Sequence, residues 1–190
     1  MPALDELPDD VRARIEEAGE KTGFVPNVFL ALARRPAEFR AFVAYHDALM
    51  DTETPGLSRA EREMIVVATS AANDCTYCVV AHGAILRIRA KDPLLADQVA
   101  ANYRQADISP RQRVMLDFAL RVATDPATVE DADLELLGQH GFDTDDVWDI
   151  GAIAALFALS NRMAHLTALR PNPEFHLLGR VPREAGPARR

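Results

Sequence analysis

Apolar positions along the chain recur at steps of three and four, and Pro, Gly or a capping residue interrupts the pattern at short intervals. Residues 7–19 read as a short helix with a polar face, after which Gly23 and Pro26 break the chain. Residues 27–34 and 36–50 read as two helices divided by Pro36, because proline fits a first helical turn and not a helix interior. Residues 51–57, with Pro55 and Gly56, are a turn. Ser58-Arg59-Ala60-Glu61 is a capping box opening a helix to residue 72. Asn73-Asp74 is a break, with Asp74 the expected N-cap of a helix from 75 or 76 to 90. Asp92-Pro93 restarts a helix to 105, and Ser109-Pro110-Arg111-Gln112 is a second capping box whose helix reaches 124. Residues 131–140 form a short helix closed by Gly141. The longest run, 143–169, ends before Arg170-Pro171-Asn172-Pro173. Nothing alternates with period two between hairpin signals, so the expected fold is all-α. Residues 150–159 are apolar nearly all round, which places them at the centre of the fold or in a contact between copies of the chain. A homo-oligomer is therefore expected, with Trp148, Phe157 and Met163 as core.

Composition narrows this further. The chain is 48% hydrophobic with only 6% aromatics, and Ala, Leu and Val carry the apolar mass, which favours helix over sheet. Its 190 residues suit one domain. That domain is placed at 1–181, with an N-terminal helical arm, and 182–190 is expected to be a flexible tail. Arg180 is grouped with that solvated, Arg-rich end. The net charge of -8 and the lack of a basic stripe argue against nucleic acid and anionic membranes as partners. The acidic N-terminus has no signal-like apolar run, and 150–159 is too short to span a bilayer, so a cytoplasmic location is expected.

The two cysteines, Cys75 and Cys78, are three residues apart, which suits redox or metal chemistry better than a structural staple. At roughly 100° per helical residue, Cys75, Cys78 and His82 share one face. Cys75 lies at the helix start, where unpaired N–H groups and the dipole favour a thiolate, so the residues alone make it the more acidic thiol. His82 can take or return a proton near neutral pH. Glu63, on the preceding helix with Val66, Val67 and Ser70, points into an apolar layer and needs a partner there, for which His82 or a water serves. Zinc is the competing reading, since two Cys and one His supply three ligands. No second ligand pair at regular spacing accompanies them, and His46, His140, His165 and His176 are isolated, so no metal and no cofactor are expected. His165 reads as a satisfied core or interface histidine, and Asn161 and Arg162 as residues that bridge subunits or order the tail.

The pattern Glu63, eleven residues, Cys75-x-x-Cys78, three residues, His82 resembles the core of the alkylhydroperoxidase-D/carboxymuconolactone decarboxylase superfamily. Gly23-Phe24-Val25-Pro26-Asn27, Ser160-Asn161-Arg162-Met163-Ala164-His165, Arg170-Pro171-Asn172-Pro173-Glu174-Phe175 and Leu178-Gly179-Arg180 extend the likeness to its peroxidase-related branch. The resemblance implies an AhpD-like helical bundle that assembles as a homo-oligomer. It also implies a thiol-dependent peroxidase, with Cys78 forming the sulfenic acid, Cys75 resolving it to a disulfide, and Glu63 and His82 as proton relay. A dithiol reductant, a lipoyl-bearing protein in the characterised members, would restore the thiols. Where the best-studied members carry a second His just before the second Cys, this chain has Tyr77, an auxiliary candidate that can donate a hydrogen bond but is a poor base. Two other classes compete: a non-catalytic redox sensor or scaffold that forms the disulfide without turnover, and a lactone decarboxylase or isomerase, whose chemistry does not need the cysteine pair.

Overall fold

The computed structural model describes residues 3–180. After a short 3-10 turn at Leu4–Glu6, three helices form an arm: α1 (Asp9–Thr22), α2 (Asn27–Leu32) and α3 (Pro36–Met50). The arm has a small core of its own, in which Leu7, Val11 and Ile15 meet Ala33 and Phe39. α1 stops at Gly23, whose φ of 87° is the left-handed cap that glycine adopts at least cost.

The body is built round α4 (Arg59–Ala72), which packs against α5 (Thr76–Ala90), α6 (Leu95–Asn102), α7 (Pro110–Thr124) and α9 (Thr144–Leu166). Both capping boxes form as expected, with Ser58 accepting from the Glu61 N–H and Ser109 from the Gln112 N–H. Every residue from Arg62 to Ser70 is buried, so α4 is enclosed on all sides rather than amphipathic. The buried Arg62 donates from Nη1 to the Leu49 carbonyl at 2.8 Å and from Nη2 to the Asp149 carboxylate at 2.6 Å, which fixes α4 to the end of α3 and to α9, while its Nε has no partner among the described residues. α8 (Asp131–Gln139) packs on α7.

The two ends of the described chain meet over α5. Asn172 donates to the Val25 carbonyl and accepts from the Asn27 N–H, at 2.9 and 2.8 Å. Arg87 donates to the carbonyls of Phe175 and Leu178, both at 2.9 Å, and Phe24 stands edge-on to Phe175. The segments 23–27 and 170–179, remote in sequence, are thus one structural unit.

Several expectations change. Cys75, not Asp74, is the N-cap of α5, because Asp74 turns the chain in the left-handed region with φ 53°. The helix expected to reach 105 ends at Asn102 and continues as a 3-10 turn, Tyr103–Gln105. α9 stops at Leu166, three residues early, with Ala168 at φ 49°. Trp148 is not core but 73% exposed. Arg180 is exposed, as expected, but it is paired: it grips Asp97 with two bonds of 2.7 Å. The expected tail, 182–190, lies outside the described residues. No helix among the described residues is long and apolar enough to cross a membrane.

Candidate functional site

α4 and α5 lie side by side, and their contact assembles the site. Glu63 is buried on α4, and both its oxygens are engaged. Oε2 accepts from His82 Nδ1 at 2.8 Å, and Oε1 lies 3.1 Å from Arg89 Nη1. A carboxylate removed from water needs such partners, and two cationic or proton-bearing ones supply them. Because a carboxylate only accepts, His82 carries its proton on Nδ1, and Nε2 is left as the working nitrogen. The Phe157 ring stands edge-on to the imidazole at 4.7 Å and limits its rotation. Arg89 also donates to the Met50 carbonyl, so the end of α3 is fastened to the same carboxylate.

The sequence pairing of Glu63 with His82 is met, and both cysteines lie on the same helix as reduced, buried thiols. They do not open onto the same space. Cys78 lines a cavity of about 380 Å³ together with His82, His46 and Ser160, walled by Phe29, Phe42 and Phe157. Cys75 lines a separate groove of about 470 Å³, with His165 and Arg170. Tyr77 borders both.

The two sulfurs also differ in acidity. The Cys78 thiol beside it, against the opposing effect of burial and with the help of the Cys78 backbone N–H, lowers the Cys75 pKa to about 6. Cys78 moves upward, because its proton is engaged by Cys75 and because it is buried. The pair therefore shares one proton, with the negative charge resting on Cys75. The residues flanking Cys75 are ordered by a chain of side chains. Asn161 donates to Ser70 at 3.0 Å, Asn73 donates to Asn161 at 3.1 Å, and His165 Nε2 donates to the Asn73 carbonyl at 2.9 Å. Asn161 thus orders the break before α5 rather than a subunit contact, and exposed His165 is no core histidine.

The Tyr77 side chain is engaged at a helix end. Its hydroxyl accepts the Val28 N–H at 3.2 Å, one of the unpaired donors in the first turn of α2, and burial pushes its pKa upward. Three contributors have no role in the sequence reading. Arg89 is one. Ser160, 3.8 Å from the Cys78 sulfur, follows directly on the apolar run 150–159. His46 was set aside as isolated, although it occupies an inward position in the stripe Phe39, Phe42, Val43, His46, Leu49, Met50, and that pattern is the signal that could have found it. No group of three or more His, Cys, Asp or Glu side chains placed to hold a metal occurs among the described residues.

The structure is thus an all-helical bundle holding a Cys-x-x-Cys pair on the helix that also carries the His of a buried Glu–His pair. The comparisons name the family. The carboxymuconolactone decarboxylase family model matches residues 36–125. An uncharacterized peroxidase-related protein from Ralstonia eutropha JMP134, described as an alkylhydroperoxidase AhpD core, is 65% identical; the match covers 96% of this chain and 95% of that one, with a TM-score of 0.93. A second uncharacterized peroxidase-related protein, from Silicibacter sp. TM1040, is 44% identical over 94% and 93% of the two chains, with a TM-score of 0.88. The debrominase Bmp8, at 18% identity over 94% of each chain and a TM-score of 0.78, shares the fold. No curated protein matches. The chain belongs to the alkylhydroperoxidase-D/carboxymuconolactone decarboxylase superfamily.

Proposed function

We propose that the protein is a thiol-dependent hydroperoxidase in which Cys78 is the attacking sulfur and Cys75 the resolving one. The observation that carries this reading is the division of the two sulfurs between two spaces. Cys78 shares its cavity with the imidazole of the Glu63–His82 pair, whereas Cys75, the more acidic thiol, opens away from it. In the resting pair the charge lies on Cys75. Transfer of the Cys78 proton to Cys75 leaves a Cys78 thiolate facing the cavity. That thiolate attacks the terminal oxygen of a hydroperoxide, so an S–O bond forms as the O–O bond breaks. The departing alkoxide takes a proton from the imidazolium form of His82, whose Nδ1–H is bonded to Glu63, and solvent returns that proton to Nε2 afterwards. The Cys75 thiol then attacks the Cys78 sulfenic acid, and its proton leaves with the hydroxyl as water. The products are a disulfide, an alcohol and water. A dithiol entering the Cys75 groove returns both sulfurs to thiols, and dihydrolipoyl groups are the expected donors.

The mostly apolar walls around Cys78 favour an organic hydroperoxide over hydrogen peroxide. Trp148, Leu159 and Leu166, spaced by eleven and seven residues, put an exposed apolar stripe along α9, which supports self-association, and gel filtration should show a species larger than the monomer.

The test is steady-state consumption of cumene hydroperoxide with dihydrolipoamide as donor. Turnover by the wild type, lost in both Cys78→Ser and Cys75→Ser, supports the reading. Quantitative disulfide formation without turnover under any dithiol would instead favour a redox sensor. The acidic Cys75 is the observation that keeps that second reading open.

A further inference from the structure

Across the cavity from the Glu63–His82 pair stands a second imidazole–carboxylate pair. His46, on α3, has Nδ1 3.1 Å from Asp47 Oδ1, and Asp47 is held in turn by Arg14 from α1 at 2.9 Å. The two imidazole centroids are 6.3 Å apart, and Phe157 faces both rings, 6.2 Å from His46 and 4.7 Å from His82. Phe42 stacks on His46 from the other side at 6.4 Å. Each imidazole thus has a carboxylate on Nδ1 and an arginine on that carboxylate, and both imidazoles line the Cys78 cavity, which Asp47 and Arg14 also border.

The pairing with Asp47 places the His46 proton on Nδ1, because a carboxylate only accepts. Nε2 is then a lone-pair acceptor, and among the described residues no protein group bonds it. The His46 side chain is only partly buried and lines the cavity, so a molecule entering it can reach the imidazole. Burial, together with the facing His82, holds the His46 pKa below the usual imidazole range, so the acceptor lone pair is available at neutral pH.

We infer that His46 is a substrate-binding residue, whose Nε2 accepts the O–H hydrogen bond of the incoming hydroperoxide and aims its terminal oxygen at Cys78. The inference rests on the peroxidase reading and adds to it a division of labour between the two pairs. His82 delivers the proton to the departing alkoxide. His46 holds the terminal hydroxyl, which keeps its hydrogen throughout and becomes the hydroxyl of the Cys78 sulfenic acid. Sulfur loses two electrons to the peroxide, and His46 ends the step with the protons it had at the start. The second imidazole comes from the N-terminal arm, so a substrate contact is supplied from outside α4 and α5, the two helices that carry the redox residues.

The test compares wild type, His46→Leu and His46→Gln with cumene hydroperoxide as probe, measuring kcat and KM at neutral pH. The rate of iodoacetamide alkylation of Cys78, in a Cys75→Ser background, reports the sulfur's own reactivity without peroxide. Loss of one hydrogen bond to substrate should raise KM by about three- to tenfold in His46→Leu. The kcat, the alkylation rate and the melting temperature should stay near wild type, and the Gln carbonyl should restore most of the KM. An unchanged KM in His46→Leu overturns the inference and leaves the peroxidase reading standing. A KM change matched by slower alkylation, or one that Gln does not rescue, also overturns it, since a packing role would then explain the effect. A wild type that consumes no hydroperoxide removes the peroxidase reading and this inference together.

Discussion

Cys75 and Cys78 are one helical turn apart, yet they belong to different regions of the molecule. Around Cys78 the walls are aromatic and aliphatic, and the polar groups are few and aimed: His82, His46 and Ser160. Around Cys75 the groove is shallower in apolar surface and bordered by His165, Arg170 and Asp74. Acidity runs opposite to access to the Glu63–His82 pair, since the lower pKa belongs to the sulfur that lies outside that pair's cavity. The comparison teaches that the neighbouring thiol, helped by a backbone N–H of the first helical turn, decides where charge rests, while the cavity decides what each sulfur faces.

The strongest way to break this comparison is to disable the relay while leaving both sulfurs. Glu63→Gln removes the charge that holds His82 and Arg89, and hydroperoxide turnover should fall by about 10²–10⁴-fold, the range of general acid–base catalysis. Single-turnover kinetics of sulfur oxidation checks this. A loss smaller than tenfold would mean that the Cys78 cavity owes its reactivity to something other than this pair.

Acidity gives a smaller, sharper probe. In the reduced protein the first thiol proton should leave at about pH 6, from Cys75, against an ordinary value of 9.0. Removing its main cause in Cys78→Ala should raise that midpoint, read by thiolate absorbance. A depressed folded-state pKa contributes stability above the unfolded pKa and loses it as pH falls through the folded one. The reduced wild type should therefore lose melting temperature as pH drops from 9 toward 6, and Cys75→Ser should lose less over the same window. The raised Cys78 acts in the other sense only above the ordinary thiol range.

The smallest effect is expected at the residue that borders both regions. Tyr77→Phe leaves the Val28 N–H without its acceptor and should cost about 1 kcal/mol of stability, seen in denaturant melts. Turnover should stay within about twofold of wild type, because a hydroxyl occupied by a helix end and held protonated carries no proton for the reaction. A large activity loss with unchanged stability would return Tyr77 to the relay.

Helix order, both capping boxes and the Glu63–His82 contact were legible in the sequence because each rests on local spacing. Ser58 and Glu61 find each other three residues apart, and the four-residue step from Cys78 puts His82 on the same side of α5, toward Glu63. What was not legible depends on pairings between distant segments. Nothing in the string links His46 to His82, Arg89 to Glu63, or Asn172 to Val25 and Asn27; only the packing of α3 on α4 and α9, of α5 on α4, and of the last segment near α5 brings them together. Trp148 was misplaced for the converse reason: it looks like core by composition, but it falls on the face of α9 that no other described element covers. The Cys75–Cys78 difference lay between these cases. Spacing showed which thiol is acidic, and only the cavities showed which one faces the relay.

The most direct measurement treats reduced Cys75→Ser protein with one equivalent of cumene hydroperoxide, traps sulfenic acid with dimedone, and maps the adduct by mass spectrometry, with Cys78→Ser in parallel. The expected result is a stoichiometric adduct on Cys78 in the first variant and none on Cys75 in the second. An adduct on Cys75 in Cys78→Ser, formed as fast as the wild-type disulfide, would contradict the assignment of the two sulfurs to the two regions.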